Sequence, residues 1–147
     1  MRFLTWMILA LWVPVAGLAQ DMQDLGPAAR DWVNATRAEA GRAPLEVNAK
    51  LTQAAAAHVR DLANTDGFSH TGSNGSSVGD RVRRAGYSFC FVAENIAKGQ
   101  GSLDQVLKGW MASPGHRRNI LAKQAREFGL VRGPGNLWVM VLGLSGC

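Results

Sequence analysis

Apolar residues recur every three or four positions through the first third of the chain, which is the spacing of amphipathic helices. The pattern predicts one helix over Asp24–Ala40, with Arg37 among the polar residues that fall outside its apolar stripe. Gly41 ends this helix. A second helix is predicted over roughly Asn48–Asn64, capped by its first residue and carrying His58 on its apolar face.

The middle of the chain predicts shorter elements around a polar loop. Residues 65–77 are nearly all turn formers, and such a stretch lies on the surface and presents its side chains. Ser76 or Ser77 caps a short helix over Val78–Ala85, and the apolar run Phe89–Ala97 predicts a strand. The loop therefore stands between two helices, free to carry functional groups.

The last third of the chain predicts two helices followed by a hairpin. A capping-box pattern opens a helix over Ser102–Met111, and Ser113 with Pro114 starts another as N-cap and first helical residue. The apolar strands Glu127–Arg132 and Leu137–Leu144 are joined by a turn-forming loop. Helices first and a hairpin last predict a sheet covered by helices, an α+β or layered α/β/α domain, rather than a parallel βαβ winding.

The N-terminus has the pattern of a secretory signal peptide over residues 1–19. Arg2 supplies the positive region, Phe3–Val13 the apolar region, and a small-residue cleavage pattern ends at Ala19. A membrane anchor is the competing interpretation, but Pro14 interrupts an apolar run shorter than the roughly 20 residues that a bilayer requires. We therefore expect a secreted or periplasmic protein with no stable membrane insertion after cleavage.

Removal of residues 1–19 would leave a single domain over residues 20–147, which we expect to be a monomer. The full chain of 147 residues has 16 basic and 11 acidic residues; losing Arg2 leaves 15 against 11, a net charge of +4. No basic stripe interleaved with aromatic residues occurs, so a dedicated nucleic-acid binder is not expected. A mildly basic surface favours anionic envelopes or phosphate-bearing ligands as partners.

The two cysteines, Cys90 and Cys147, suggest a disulfide, since an exported chain meets an oxidising compartment. Such a bond would tie the last residue to the middle of the chain, with a chain-entropy contribution of about 4 kcal/mol. The alternative is two unpaired thiols, one of them buried beside Phe89 and Phe91.

Three histidines are candidates for chemistry. His58 lies on an apolar helix face, where a hydrogen-bonded structural histidine is the usual outcome. His70 lies in the polar loop, where solvated polarity competes with a functional role. His116 lies in the first turn of a helix, whose dipole favours the neutral ring that a metal ligand or general base requires, although a capping role explains it equally well.

Two acidic residues interrupt apolar runs. A carboxylate in such a run is costly without a partner, which for Glu94 is either a backbone amide or a histidine. Glu127 presents the same question more weakly. The motifs of zinc proteases, redox cysteine pairs, serine hydrolases and phosphate-binding loops do not occur in the sequence.

In its order of motifs the chain resembles the CAP superfamily, the cysteine-rich secretory, antigen-five and pathogenesis-related type also called the SCP domain, and above all its short bacterial members. The motifs most specific to this family are AENIA and SPGHRRNIL. The matching segments are Asn34–His58, Phe68–Gly75, Asp80–Tyr87, Ala93–Gly99 and Trp110–Leu121, followed by the EFGL and LWVMVLG strands.

This resemblance implies an α+β fold, a three-layer α-β-α sandwich with a mostly antiparallel central sheet and a shallow cleft. His70 and His116 match the two histidines of the family cleft, which hold a divalent metal in some members, and Glu94 matches the glutamate of the ENI motif. The second family acid falls at or near Ser113, where this chain departs from the pattern. Glu127 is a candidate for the missing carboxylate.

On this basis the expected cleft contains His70, Glu94, Asn95, His116, Ser113 and Glu127. Glu94 would orient one imidazole and leave its other nitrogen free for a metal or ligand. Two histidines form an incomplete zinc site, so divalent-metal binding should be weak and should be lost as the rings protonate below roughly pH 6.

Three functions remain open from the sequence. The first is a ligand-binding or interaction module for a small molecule, lipid, glycan or peptide. The second is a metal-assisted hydrolase with His70 and His116 as ligands and Glu94 as general base. The third is a structural envelope protein whose polar cluster only stabilises the fold.

Overall fold

The structure, a computed structural model, describes residues 22–147. The predicted signal peptide lies outside the described residues. Within them no helix has the length and apolar character needed to cross a membrane. The helices are α1 Gly26–Glu39, α2 Ala49–Ala63, α3 Val78–Arg84, α4 Leu103–Ala112 and α5 Pro114–Ile120. The strands are β1 Gln23–Asp24, β2 Glu46–Val47, β3 Phe89–Lys98, β4 Glu127–Gly133 and β5 Leu137–Ser145, with a 3₁₀ turn over Pro134–Asn136.

One sheet forms the middle layer, in the order β1-β4-β5-β3, and β2 pairs with β4 beside β1. All pairings are antiparallel except that of β2 with β4, which is parallel. The long strand β3 pairs only with β5 among the described strands, so it forms an edge of the sheet. The mostly antiparallel sheet that the resemblance implied is confirmed.

Helices cover both faces of the sheet and produce two apolar cores. On one face α1, α4 and α5 pack on alternate residues of the strands, with Trp110, Phe128 and Trp138 as the largest members. On the other face α2 and α3 pack on a second set of apolar strand residues, which includes Val139 and Val141. Period-two alternation along the strands separates the two cores, and the result is the predicted three-layer sandwich.

Helix α2 lies unusually close to the sheet at Gly129 of β4. A Cβ atom placed on this glycine would lie 2.2 Å from the backbone nitrogen of Thr52 and 2.5 Å from the carbonyl carbon of Leu51. Only a residue without a side chain permits this approach. The contact fixes the height of α2 above the sheet, and with it the position of His58 on the same helix.

Arg37 corrects one prediction about α1. The helical pattern placed it outside the apolar stripe, whereas its side chain is fully buried. Its guanidinium donates hydrogen bonds to the carbonyl oxygens of Ala43, Ile120, Ala122 and Ala125. A periodicity argument treats arginine as a surface residue, but here the loop after α5 supplies enough acceptors to bury the charge.

Two long-range connections hold the outer parts of the described chain to the sheet. Cys90 and Cys147 form the predicted disulfide, with a sequence separation of 57 residues. The two-residue strand β1 pairs with Val131 and Arg132 of β4. The sequence pattern does not predict β1 or β2, because two residues are too few to show a period.

Candidate functional site

Glu94 lies on the edge strand β3 and projects toward the layer of α2 and α3. Its side chain is 2% exposed and pairs with Arg81 of α3, whose side chain is 4% exposed. Arg81 Nη2 lies 2.8 Å from Glu94 Oε2. The carboxylate that the sequence left in need of a partner therefore has a buried guanidinium, which offsets much of the cost of burying its charge.

His70 is bound to the same carboxylate. Its Nδ1 lies 2.9 Å from Glu94 Oε1. Because a carboxylate only accepts, Nδ1 carries the proton and Nε2 remains available to a ligand. The hydrogen bond to Glu94 raises the pKa of His70 against the opposing effect of burial. With 57% of the side chain exposed, His70 presents a fixed imidazole to solvent.

The loop that carries His70 is held through its backbone. Arg81 donates to the carbonyl oxygens of Ser76 and His70, each at 2.9 Å. His58 of α2 contacts the carbonyl oxygen of Ser69 through Nε2, also at 2.9 Å. Three bonds from two helices thus fix the segment on both sides of the imidazole. Loop residues 65–77 have no regular secondary structure, so these anchors determine where His70 stands.

His58 is the buried, hydrogen-bonded histidine that its place on the apolar helix face indicated. Burial is the main cause of its lowered pKa, although the nearby Glu94 acts to raise it. Because the Ser69 oxygen only accepts, Nε2 carries the proton in the neutral ring, and Nδ1 has no hydrogen-bond partner among the described residues. The ring is neutral at pH 7 and supports the loop.

His116 lies in α5 on the other side of the edge strand. Burial is the main cause that lowers its pKa, and the charge of His70 lowers it further. The His116 ring also lies 6.5 Å from the Trp110 ring, measured between centroids. A neutral imidazole at this position fits the expectation from the helix dipole. We refer to His70, Glu94 and His116 as the histidine site.

Asn95 belongs to the opposite layer, because neighbouring residues of a strand face opposite ways. Its side-chain amide donates to the carbonyl oxygen of His116 at 3.1 Å, and its oxygen accepts from Asn119 at 2.8 Å. Asn119 also donates to the carbonyl oxygen of Glu94 at 3.1 Å. The two asparagines therefore attach α5, and His116 with it, to the edge strand. Asn95 is a fully buried positioning residue.

Glu127 takes another place than the expected cleft, whereas Ser113 begins the helix that carries His116. Ser113 is the N-cap residue of α5, but its side chain makes no capping hydrogen bond. Glu127 accepts hydrogen bonds from Asn48, Tyr87 and Ser145. Burial acts to raise the pKa of Glu127, and these hydrogen bonds nevertheless lower it. Its carboxylate is committed to that network and does not supply the second acid of the histidine site.

The donor set does not fit a resident zinc ion. Structural and catalytic zinc sites have three or four protein ligands. The part of the chain that the structure describes has no group of three or more histidine, cysteine or acidic residues placed to hold a metal. Both oxygens of Glu94 are engaged by His70 and Arg81. The two imidazoles are the remaining donors.

Arg81 and Asn119 are the functional neighbours that the sequence analysis did not identify. Arg81 stands one residue before Val82, a fully buried member of the same helix. A basic residue on an inward helix face and an acid in an apolar run each need a partner. The sequence therefore contained a signal for the ion pair, because an inward basic residue and a buried acid can satisfy each other.

Comparison with known proteins identifies relatives. The family model described as "CAP: Cysteine-rich secretory protein family" matches residues 30–141. The uncharacterised protein YkwD of Bacillus subtilis is 36% identical over 97 residues, which are 66% of this chain and 38% of that protein. The chain thus spans little more than a third of that relative, and only 29% of a second one, the uncharacterised membrane protein YlbC of the same organism.

Solved structures agree with the fold. An extracellular SCP-domain protein from Bacillus anthracis superposes with a TM-score of 0.75 at 26% identity, over 80% of this chain and 39% of that one. An outer surface protein from Borrelia burgdorferi also has a TM-score of 0.75, over 86% of this chain and 99% of that one. Its identity of 19% makes it evidence for the fold alone.

Proposed function

The chain belongs to the cysteine-rich secretory protein family, the CAP family, and on that premise we propose that the histidine site is the ligand-binding site of an extracytoplasmic interaction module. The proposal rests above all on the His70–Glu94 hydrogen bond of 2.9 Å. It holds an exposed imidazole in one orientation and one tautomer, and such a group binds with little loss of side-chain entropy.

Two ring nitrogens, one from His70 and one from His116, define the chemistry of the proposed site. His70 offers Nε2 as an acceptor when unprotonated, and the lowered pKa keeps His116 neutral at pH 7. Such a pair suits a small polar ligand with hydrogen-bond donors and binds a divalent cation weakly, with water completing the coordination. Neither His70 nor His116 has a carboxylate free to strengthen the binding of a metal.

An extracellular or periplasmic setting is supported by two observations. The Cys90–Cys147 disulfide requires an oxidising compartment. The structurally similar proteins include an extracellular protein and an outer surface protein. Secretion through cleavage after residue 19 remains a prediction from the sequence pattern.

Metal-assisted hydrolysis is a weaker hypothesis than ligand binding. A general base needs a carboxylate oxygen that can take a proton from water. In Glu94 one oxygen accepts from His70 and the other from Arg81, and the side chain is 2% exposed. Its contacts are those of a residue that orients His70, so we do not assign it the role of base.

The test uses Zn²⁺ as a probe of the two rings at pH 8, which is above the ordinary histidine pKa near 6.5. We expect weak Zn²⁺ binding by calorimetry, and loss of that binding in both His70→Ala and His116→Ala. Thr71→Ala is the matched control, since it lies in the same loop as His70 and is exposed. Wild-type protein without Zn²⁺ binding, or either histidine variant with unchanged binding, would contradict a shared site.

A further inference from the structure

A groove of about 460 Å³ lies at the C-terminal end of α5, beside the start of the edge strand. Three cations line it, Arg42 after α1, Arg118 in α5 and Lys123 in the following loop, and no acidic residue does. Phe91 and Leu121 contribute apolar surface. We call it the α5 groove. Its volume is that of a site for one small molecule.

The three cations have no acidic partner within the described range, residues 22–147. None of Arg42, Arg118 and Lys123 forms an ion pair there. Arg42 is oriented by a hydrogen bond of 3.0 Å from Nε to the carbonyl oxygen of Leu121. Neither terminal nitrogen of this guanidinium has a hydrogen-bond partner among the described residues, so both are available to a ligand. Like charges gathered without a counterion favour an anion between them.

A buried positive charge next to the groove, that of Arg37, adds to the positive potential of the groove. Arg37 is fully buried and bonds only to carbonyl oxygens. Burial lowers the pKa of Arg37 to about 10, and the charges of Arg126 and Arg42 contribute to the shift. Arg42 therefore belongs both to the groove and to a positive cluster around the buried Arg37. A bound anion would offset the repulsion in both.

We propose that the α5 groove binds a small organic phosphate. Three cations that line one groove match a group with more than one negative charge. A phosphate monoester carries about −1.5 to −2 at pH 7. Guanidinium groups bind phosphate oxygens through paired hydrogen bonds. Phe91 gives the organic part of the ligand an aromatic surface to pack on. A carboxylate of charge −1 matches the groove less well.

The α5 groove is separate from the histidine site. Asn119 lines the groove and also bonds to the backbone of Glu94, but His70, Glu94 and His116 do not line it. Binding in the groove therefore does not depend on the imidazoles, and His70→Ala should leave it unchanged. The proposal is independent of the function proposed for the histidines.

Phenyl phosphate is the probe, with affinity measured by calorimetry at low ionic strength. The double variant Arg118→Gln/Lys123→Gln removes two exposed cations that make no side-chain hydrogen bond in the described structure, so the fold should not change. Arg84→Gln/Lys98→Gln, also exposed, removes the same charge from α3 and the far end of β3. We expect the first variant to bind at least about tenfold more weakly and the second to bind like wild type.

Two further binding measurements test the charge and the source of the ligand. Benzoate has the same ring with one negative charge, and we expect it to bind about tenfold more weakly than phenyl phosphate. Vesicles of phosphatidylglycerol should not co-sediment with the protein under the same conditions. Equal affinity for benzoate, no binding of phenyl phosphate, equal losses in the two double variants, or co-sedimentation that requires Arg118 and Lys123 would each overturn the proposal.

Discussion

Arg81 and Glu94 form an ion pair that is nearly closed to solvent, with 2.8 Å between Nη2 and Oε2. Arg81 also donates to the carbonyl oxygen of His70, while Glu94 accepts from the ring of the same histidine. The pair therefore holds His70 at its backbone and at its side chain. A buried pair with this many partners places the imidazole, and its removal should affect both stability and the ring.

Glu94→Gln should destabilise the protein by about 3 kcal/mol, because it leaves the buried charge of Arg81 without a carboxylate. Urea unfolding measures the change. Glu46→Gln is the control, since Glu46 is exposed and should change stability by less than about 0.5 kcal/mol. A loss no larger than that of the control would show that the ion pair does not hold this region.

The three histidines should titrate on different sides of the ordinary value near 6.5. The hydrogen bond to Glu94 raises the pKa of His70, whereas burial is the main cause that lowers the pKa of both His58 and His116. NMR titration of the ring protons measures each value. In Glu94→Gln the pKa of His70 should fall, and identical titrations of all three rings would contradict the site geometry.

Stability should follow the signs of these pKa shifts. The contribution of His70 is fully present below about pH 6.5 and is lost as pH rises through its raised pKa. For His58 and His116 the loss occurs as pH falls from about 6.5 through their lowered pKa values. Zn²⁺ must compete with the proton on His70. As the pH is lowered, Zn²⁺ binding should therefore begin to weaken above pH 6.5, a higher pH than the value near 6 expected from the sequence.

Gly129→Ala should destabilise the protein by about 3 kcal/mol, because the added methyl group would overlap the backbone of α2. Gly109→Ala is the matched control. It lies within α4 with nothing within 4 Å of the added atom, and should stabilise the protein by up to about 1 kcal/mol. Thermal unfolding of both variants distinguishes the two effects, and similar shifts in the same direction would refute the close approach of α2.

Replacement of Arg37 by methionine should cost about 3 kcal/mol, because buried carbonyl oxygens at Ile120 and Ala125 lose their donor. Arg30→Met removes an exposed arginine from the same helix and should have little effect. Hydrogen exchange should show that the loop after α5 opens in the first variant alone. An unchanged loop would mean that Arg37 is not its anchor.

The double variant Cys90→Ser/Cys147→Ser should lose up to about 4 kcal/mol, the chain-entropy value for a loop of this length. Chemical denaturation with and without reductant measures the loss. Reductant should bring wild type to the stability of the variant and should leave the variant unchanged. Wild type that keeps its stability after full reduction would show that the bond contributes little.

Much of the fold was predictable because its elements repeat a period. The caps at Asn48 and Ser77 have side chains that accept from the first backbone amides, as the residue types indicated. The existence of β1 was not predictable, since it depends on pairing with β4 more than a hundred residues away. Long-range pairing leaves no local signal in two residues.

The site was predictable only in part. The motif resemblance selected His70, Glu94 and His116, and the need of a buried carboxylate for a partner was visible at Glu94. The identity of that partner was not, because the geometry of α3 against β3 decides that Arg81 rather than Arg83 turns inward. Glu127 was misplaced because two of its hydrogen-bond partners, Asn48 and Tyr87, are distant from it in the sequence.

Three anchors of the His70 loop bind main-chain oxygens, at Ser69, His70 and Ser76, rather than side chains. Hydrogen bonds to main-chain oxygens do not depend on the identity of the side chains at these positions. Exposed neighbours of the imidazole, such as Phe68 and Thr71, could therefore change identity while the ring stays in register. Ligand specificity could therefore change through substitutions in this loop while the fold stays the same.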